Sequence, residues 1–396
     1  MNVVIIGAGV AGLGIGWKLA KAGASVTILE RAQAGRGATT VSGGMIAATA
    51  ELANAGTPEA IFSKRASGLW PDFVAELEAE SGMSVDYRKN GSLMVALTSG
   101  GQPHEPSGGQ PHEQGADIIM LTAEQARAME PMLRGDIAGA LWAPQEAQVD
   151  THALVRALVT AFVKAGGTIL ANEAAVRIET ESGRAIGVRT PFTLHQADAT
   201  ILAAGAWSSR IEGLPPEAIP PVIPIKGEIL VLTPPVGAEL PKHVVWGNDI
   251  YVVPRGGQLL VGATMERAGF DTSKSPEATR WLLRQSAGLM PALEGWEVAE
   301  HWAGLRPATP DGLPILGPTV VEGLYVASGQ FRNGILFAPA VAEVMSRLIL
   351  ERVMETPAFD PRRFDGAKPH PPDSVIETAH RAPGKDAGFQ EWHTGF

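Results

Sequence analysis

Gly7, Gly9 and Gly12 stand in GxGxxG spacing directly after the apolar run from Asn2 to Ile6. That pattern suits chemistry on a phosphorylated cofactor. The first glycine permits a tight turn, the second lets main chain approach a pyrophosphate, and the third allows close helix–strand packing, so helix N-terminal amides face the phosphates. Glu30 closes the next apolar run, where an acid accepts hydrogen bonds from a ribose hydroxyl; the plainer alternative is a solvated charge at a strand end. No second GxGxxG occurs, which disfavours a reductase with two nucleotide sites and leaves one dinucleotide for the redox work. A second cluster lies in GQFRNGILFAP, Gly329 to Pro339, where Arg332, Asn333 and Gly334 interrupt an apolar pattern. A cation at the start of a helix opposes the dipole unless an anion is bound, so Arg332 is expected to face a ligand.

The elements that must position these residues read as follows. Asn2 to Ile6 is a buried strand, a helix runs to about Ala22, and Ser25 to Leu29 is a second strand, together a βαβ unit. A helix is expected from Pro58, with Thr57 as N-cap and Gly82 as terminator. Asn90-Gly91 between strand-like runs signals a type I′ hairpin. Thr122 and Gln125 have capping-box spacing, and a helix from Thr151 to Ala165 stops at Gly166-Gly167. Strands are expected over Thr168 to Ala204 and Pro220 to Gly262, then a helix near Pro276 to Leu289. GGQPHEPS from Gly100 is followed at once by GGQPHEQG, a direct duplication that reads as a flexible loop. His104 and His112 are the metal-ligand types in it, but such a loop offers no rigid scaffold, so no metal site is expected.

The 396-residue chain carries a formal charge of -10 without a basic stripe, which argues against nucleic acid or an anionic membrane as partner. There is no cysteine, hence no disulfide, thiolate nucleophile, iron–sulfur cluster or cysteine-linked cofactor, in keeping with a reducing cytosol. The apolar N-terminal run lacks the basic start and cleavage site of a leader. No stretch has the ~18 consecutive apolar residues of a membrane span. A cytoplasmic protein is therefore expected.

Three further stretches, ERAQAGRGATTVSGGMIAATAE, ATILAAGAWSS and HWAGLRPATPDGLPILGP, join the closing LYVASGQFRNGILFAP. Together these resemble the D-amino acid oxidase superfamily of FAD enzymes, and within it the glycine oxidases of thiamine biosynthesis, from Met1 to about Arg352. The resemblance implies a mixed α/β fold, with a Rossmann-like FAD-binding domain interleaved with an antiparallel-sheet substrate domain. On this basis residues 1–85, 145–220 and 300–364 belong to the first, 86–144 and 221–299 to the second, and 365–396 form a tail. FAD would be lined by Gly7, Gly9, Val10, Ala11, Gly12, Glu30, Arg31, Ala38, Thr39, Gly43, Gly44 and Met45, then by Val176, Gly205 and the run Gln330, Phe331, Arg332, Asn333, Gly334, Ile335 and Leu336. Without cysteine, FAD would be held non-covalently.

The same resemblance gives Arg306 to the substrate carboxylate, for which a planar guanidinium fork is suited, and Tyr251 as a hydrogen-bond donor to it. Met265 would form an apolar wall and Arg332 would complete the pocket. The reaction implied is oxidation of glycine, sarcosine or a small D-amino acid by hydride transfer to flavin N5, with molecular oxygen as acceptor, giving 2-oxo acid, ammonia and hydrogen peroxide. Alternatives are a dehydrogenase with a quinone or other acceptor, and a flavoprotein subunit of a larger complex. A homodimer or homotetramer is expected from the family. A helix starting near Gly334 would support negative charge on reduced flavin. Two departures stand out: Gln330 stands where the family motif commonly has histidine, and Asp249, near Tyr251, stands where a glycine oxidase has one.

Overall fold

The computed structural model describes residues 1–49, 56–99, 102–103 and 118–365. The duplicated loop with His104 and His112, and all of the tail beyond Asp365, therefore lie outside the described residues.

Val3, Val4, Ile5 and Ile6 are all buried, as the central strand of a parallel sheet requires. The Asn2–Ile6 strand pairs in parallel with Ser25–Glu30 on one side and Ala199–Leu202 on the other. Thr168–Ala171 and Leu324–Ser328 extend the sheet, and antiparallel Ile315–Pro318 closes it at six strands. Val3 and Ile5 face a helical layer containing Trp17, Trp70, Phe162 and Phe337, whereas Val4 and Ile6 face Ile178, Ala185 and Val188 of a three-stranded sheet. The helix signals hold: Thr57 Oγ1 accepts from Ala60 N at 3.1 Å, Gly82 ends Pro58–Ser81 in the left-handed region, and Thr122 and Gln125 form their capping box.

The larger sheet is almost wholly antiparallel, in the order Glu297–Ala308, Ile223–Thr233, Gln258–Gly262, Ile250–Arg255, Val244–Gly247, Ser92–Ser99, Ile137–Ala143 and Ile119–Thr122, with Gln102–Pro103 beside Ser92–Ser99. Alternation sorts its side chains between two layers. Leu230, Leu232, Val252 and Val261 pack with Leu282 and Leu289 of helix Pro276–Leu289, while Ile229, Val231, Val253 and Leu260 face Met45, Trp246 and Tyr251. The chain enters the parallel sheet, leaves for the large one, returns, leaves again and returns, so the two are interleaved as expected. Strand Glu297–Ala308 pairs along its length with Ile223–Thr233 and so belongs to the large sheet, although a boundary at 300 gives most of it to the nucleotide region.

The hairpin expected at Asn90-Gly91 does not form. Ser92–Ser99 pairs with Ile137–Ala143 and Val244–Gly247, while Arg88 bridges to Gln148 and Gly91 N donates to Glu146 O. A type I′ turn needs two consecutive residues with positive φ, and here Gly91 alone of the pair has one. The turn of that kind lies instead at Asn248 and Asp249, φ 54° and 65°, joining Val244–Gly247 to Ile250–Arg255.

Candidate active site

The cofactor end is built by close approach. Gly7 has φ 105°, and a Cβ on Gly12 would fall 2.0 Å from Gly7 O, so the turn and the following helix admit only glycine there. Ala8 N donates to Glu30 Oε2 at 2.9 Å and Ala32 N to Glu30 Oε1 at 3.0 Å. Glu30 thus braces the turn with one lone pair on each oxygen and retains others for a ribose hydroxyl. Helix Val10–Lys21 begins at Gly9 with no side chain capping it from that position; Thr39 Oγ1 takes Val10 N at 3.1 Å. The amides of Ala11 and Gly12 find no acceptor among the described residues. Open amides at a helix start suit a pyrophosphate.

Arg31 stacks on the Trp207 ring at 3.5 Å, and desolvation pushes its guanidinium below the ordinary value against the pull of Glu30. Val176, 41% exposed, follows the strand whose Ala171 pairs with Glu30. Gly205 opens the turn after Ala199–Leu202, next to the Ala203 carbonyl that crowds Gly7. Ala38 lies half-buried beside Thr39.

Arg306 and Tyr251 come from different strands yet share one face of the large sheet. Ile225 pairs with Arg306, Ile229 with Gly262, and Gly262 with Tyr251, and positions 225, 227 and 229 lie on the same side. Glycines make room for both side chains. A Cβ on Gly227 would fall 2.3 Å from Arg306 Nη1, and one on Gly262 would fall 2.4 Å from Tyr251 Oη. Arg306 Nη1 donates to Thr264 O at 3.1 Å, which sets half-buried Met265 next to the anchor. Tyr251 also reaches Gly43, whose Cβ would stand 3.1 Å from its ring, so the expected flavin turn and the expected substrate residues meet. Trp246 packs edge-on against Tyr251 at 5.4 Å.

The segment Gln330 to Leu336 is pinned on both sides. Phe331 N donates to Pro307 O at 2.9 Å, one residue beyond Arg306, while Asn333 Nδ2 donates to Glu59 Oε1 at 2.8 Å and Trp70 Nε1 to Leu336 O at 3.0 Å. Gln330 is 8% exposed, and its Nε2 has no partner among the described residues. A buried amide donor is left unpaired only at a cost, so Gln330 and the open helix amides together fit a cofactor with polar ring atoms and phosphates. One expectation changes here. The helix starts at Ala338, not near Gly334, because Gly334 to Phe337 form a turn in which Phe337 N binds Asn333 O. Arg332 is exposed, with its guanidinium 5.9 Å from the Phe331 ring centre.

His301, near Arg306 in sequence, lies on the opposite face of the strand. Its Nε2 is 2.7 Å from Glu228 Oε2 in a cluster with Lys226 Nζ, 3.0 Å from Glu228 Oε1, and Ser275 N, 2.9 Å from Oε2. Lys226 and Glu228 are almost fully buried, and the cluster anchors the start of helix Pro276–Leu289. Asp249 is explained by backbone: aspartate tolerates the left-handed turn position it occupies. Although it is exposed, desolvation by its neighbours raises its carboxyl above the ordinary value.

With this geometry the chain belongs to the FAD dependent oxidoreductase family, whose profile matches residues 2–348, and FAD is its cofactor. It is 35% identical over 356 residues to the bifunctional protein ThiO/ThiG of Trichormus variabilis, covering 89% of this chain and 53% of that one. The chain thus spans about half the length of that relative. It is 33% identical to the glycine oxidase of Geobacillus kaustophilus over 91% of this chain and 94% of that one. The crystal structure of glycine oxidase from that organism superposes with a TM-score of 0.82 at 30% identity, covering 91% and 98% of the two chains. The mixed fold and the family expected from the sequence are borne out.

Proposed function

We propose that the protein is an amino acid oxidase of glycine oxidase type, acting on glycine or another small amino acid such as sarcosine or a small D-amino acid. The observation that carries this reading is Arg306 and Tyr251 on one face of the large sheet, each lying over a glycine, with Tyr251 against Gly43. FAD, when bound, would supply the hydride acceptor and the redox chemistry that makes molecular oxygen the final acceptor. The remaining work is positioning. Arg306 binds the substrate carboxylate with two parallel hydrogen bonds and Tyr251 donates a third, which orients Cα–H. Met45, Trp246 and Trp302, apolar and partly buried around Tyr251, exclude water from that face, and Met265 extends the wall. The substrate ammonium gives its proton to water during binding, so no side-chain base is assigned. Gly7–Gly12, Glu30, Arg31, Ala38, Thr39, Gly43–Met45, Val176, Gly205 and Gln330–Leu336 would hold FAD, and the unpaired Gln330 Nε2 would be a donor available to it.

The relatives' names support a place in thiamine synthesis, in which an imine made from glycine feeds a ring-forming step. A soluble cytoplasmic homodimer or homotetramer completes the proposal; no helix among the described residues is long and apolar enough to cross a membrane. The test is anaerobic bleaching of the purified flavoprotein over glycine, sarcosine, proline and paired D- and L-amino acids, followed by admission of air. Bleaching by a small amino acid and rapid peroxide formation are expected. Bleaching with slow reoxidation would move the protein to the dehydrogenases, and no bleaching by any of them would sink the reading.

A further inference from the structure

Arg255 ends the strand that carries Tyr251, and it is buried against main chain instead of an acid. Its Nη1 donates to Thr151 Oγ1 at 3.0 Å, and its Nη2 to Ser42 O at 3.3 Å and to Gly43 O. Burial depresses its basicity, and Asp150 opposes that only through space. The two carbonyls it holds belong to trans peptides, so the amides of Gly43 and Gly44 in those same peptides point away from the guanidinium. Both glycines are buried, and neither amide has a hydrogen-bond partner among the described residues. Two successive buried donors left open, and held in that pose by a cation from another element, mark a place for a ligand. Gly44 is held on its other side as well: Val149 N donates to Gly44 O at 2.9 Å, and at φ 75° the glycine lies so close to Val149 O that a Cβ would stand 2.2 Å from it.

We propose that Arg255 is a positioning residue, which turns Ser42–Gly43–Gly44 so that the amides of Gly43 and Gly44 form a donor pair for the flavin while tying that turn to the Tyr251 strand. The proposal rests on the placement of FAD along Gly43 to Met45. The test compares the wild-type holoprotein with Arg255→Met, Arg255→Lys and Thr151→Val, reading FAD dissociation, flavin absorption bands and the urea midpoint. Arg255→Met is expected to bind FAD at least about tenfold more weakly and to shift the absorption bands. Arg255→Lys recovers part of the affinity, and Thr151→Val weakens binding in the same direction by a smaller factor. A packing role alone would lower the urea midpoint with FAD affinity and bands unchanged; that result in any folded variant overturns the proposal. A wild-type chain that bound no FAD would overturn the placement of the flavin as well, which separates the two failures.

Discussion

Arg306 keeps its geometry because Gly227 gives it a flat bed, and this makes the proposed anchor unusually easy to disturb from a neighbouring strand. Arg306→Lys replaces a planar fork by a point charge, and KM for the substrate is expected to rise by roughly a hundredfold with a smaller change in kcat. Gly227→Ala should act in the same direction, since its Cβ would occupy the space of Nη1. Steady-state kinetics and carboxylate-ligand titration of both variants check this; an unchanged KM in Arg306→Lys would remove the residue from the anchor role. Asp249 offers a separate residue-level test. Its carboxyl is raised in the folded protein by desolvation, so folding favours the protonated form. The stability this lends is present below the unfolded value of ~4 and is lost as pH rises through the folded value. Asp249→Asn keeps a residue that tolerates the turn, so it should raise the urea midpoint at neutral pH, with the gain fading in acid. A gain that is constant with pH would exclude this cause.

At the scale of elements, legibility followed local chemistry. Thr57, Gly82 and the Thr122 to Gln125 box were readable because a cap is decided within four residues, and each forms as expected. Asn90-Gly91 misled because turn type also depends on which strands are available, and Ser92–Ser99 finds its partners far along the chain. The real two-residue turn uses Asn248-Asp249, a weaker signal without glycine. Arg255 and Glu59 were illegible for the same reason: each acts on a segment more than two hundred residues away, at Gly43 and Asn333 respectively. That second contact predicts an outcome. Asn333→Leu removes the donor to Glu59 and loosens the 330–336 segment from helix Pro58–Ser81. It is expected to cost about 1–3 kcal/mol in urea denaturation and to weaken FAD binding. Loss of stability without loss of FAD affinity would show the contact to be structural alone.

Across the whole molecule, the interleaved path makes the cofactor region a joint property of both sheets. The GxGxxG turn and Glu30 come from the parallel sheet, Tyr251 and Arg255 from the large one, and the 330–336 segment leaves the first sheet yet binds Pro307 of the second. The family was legible because its motifs lie in short contiguous stretches; the sheet face shared by Arg306 and Tyr251 was not, since it depends on the register of four strands. A ligand that bridges the two sheets should couple their unfolding. Binding to the folded state adds about 2.7 kcal/mol when FAD is present at a hundred times its Kd. Removing FAD is therefore expected to lower Tm, and adding it back to restore Tm in proportion to the logarithm of its concentration. If the proposed path of FAD is right, intrinsic fluorescence from Trp17 and Trp70 in the helical layer and from Trp246 and Trp302 in the large sheet should shift together. Single-tryptophan variants reporting from each side resolve this in a thermal scan. A shift confined to Trp17 and Trp70 would mean that FAD is held by the parallel sheet alone, and would break the proposed contact with the Tyr251 face.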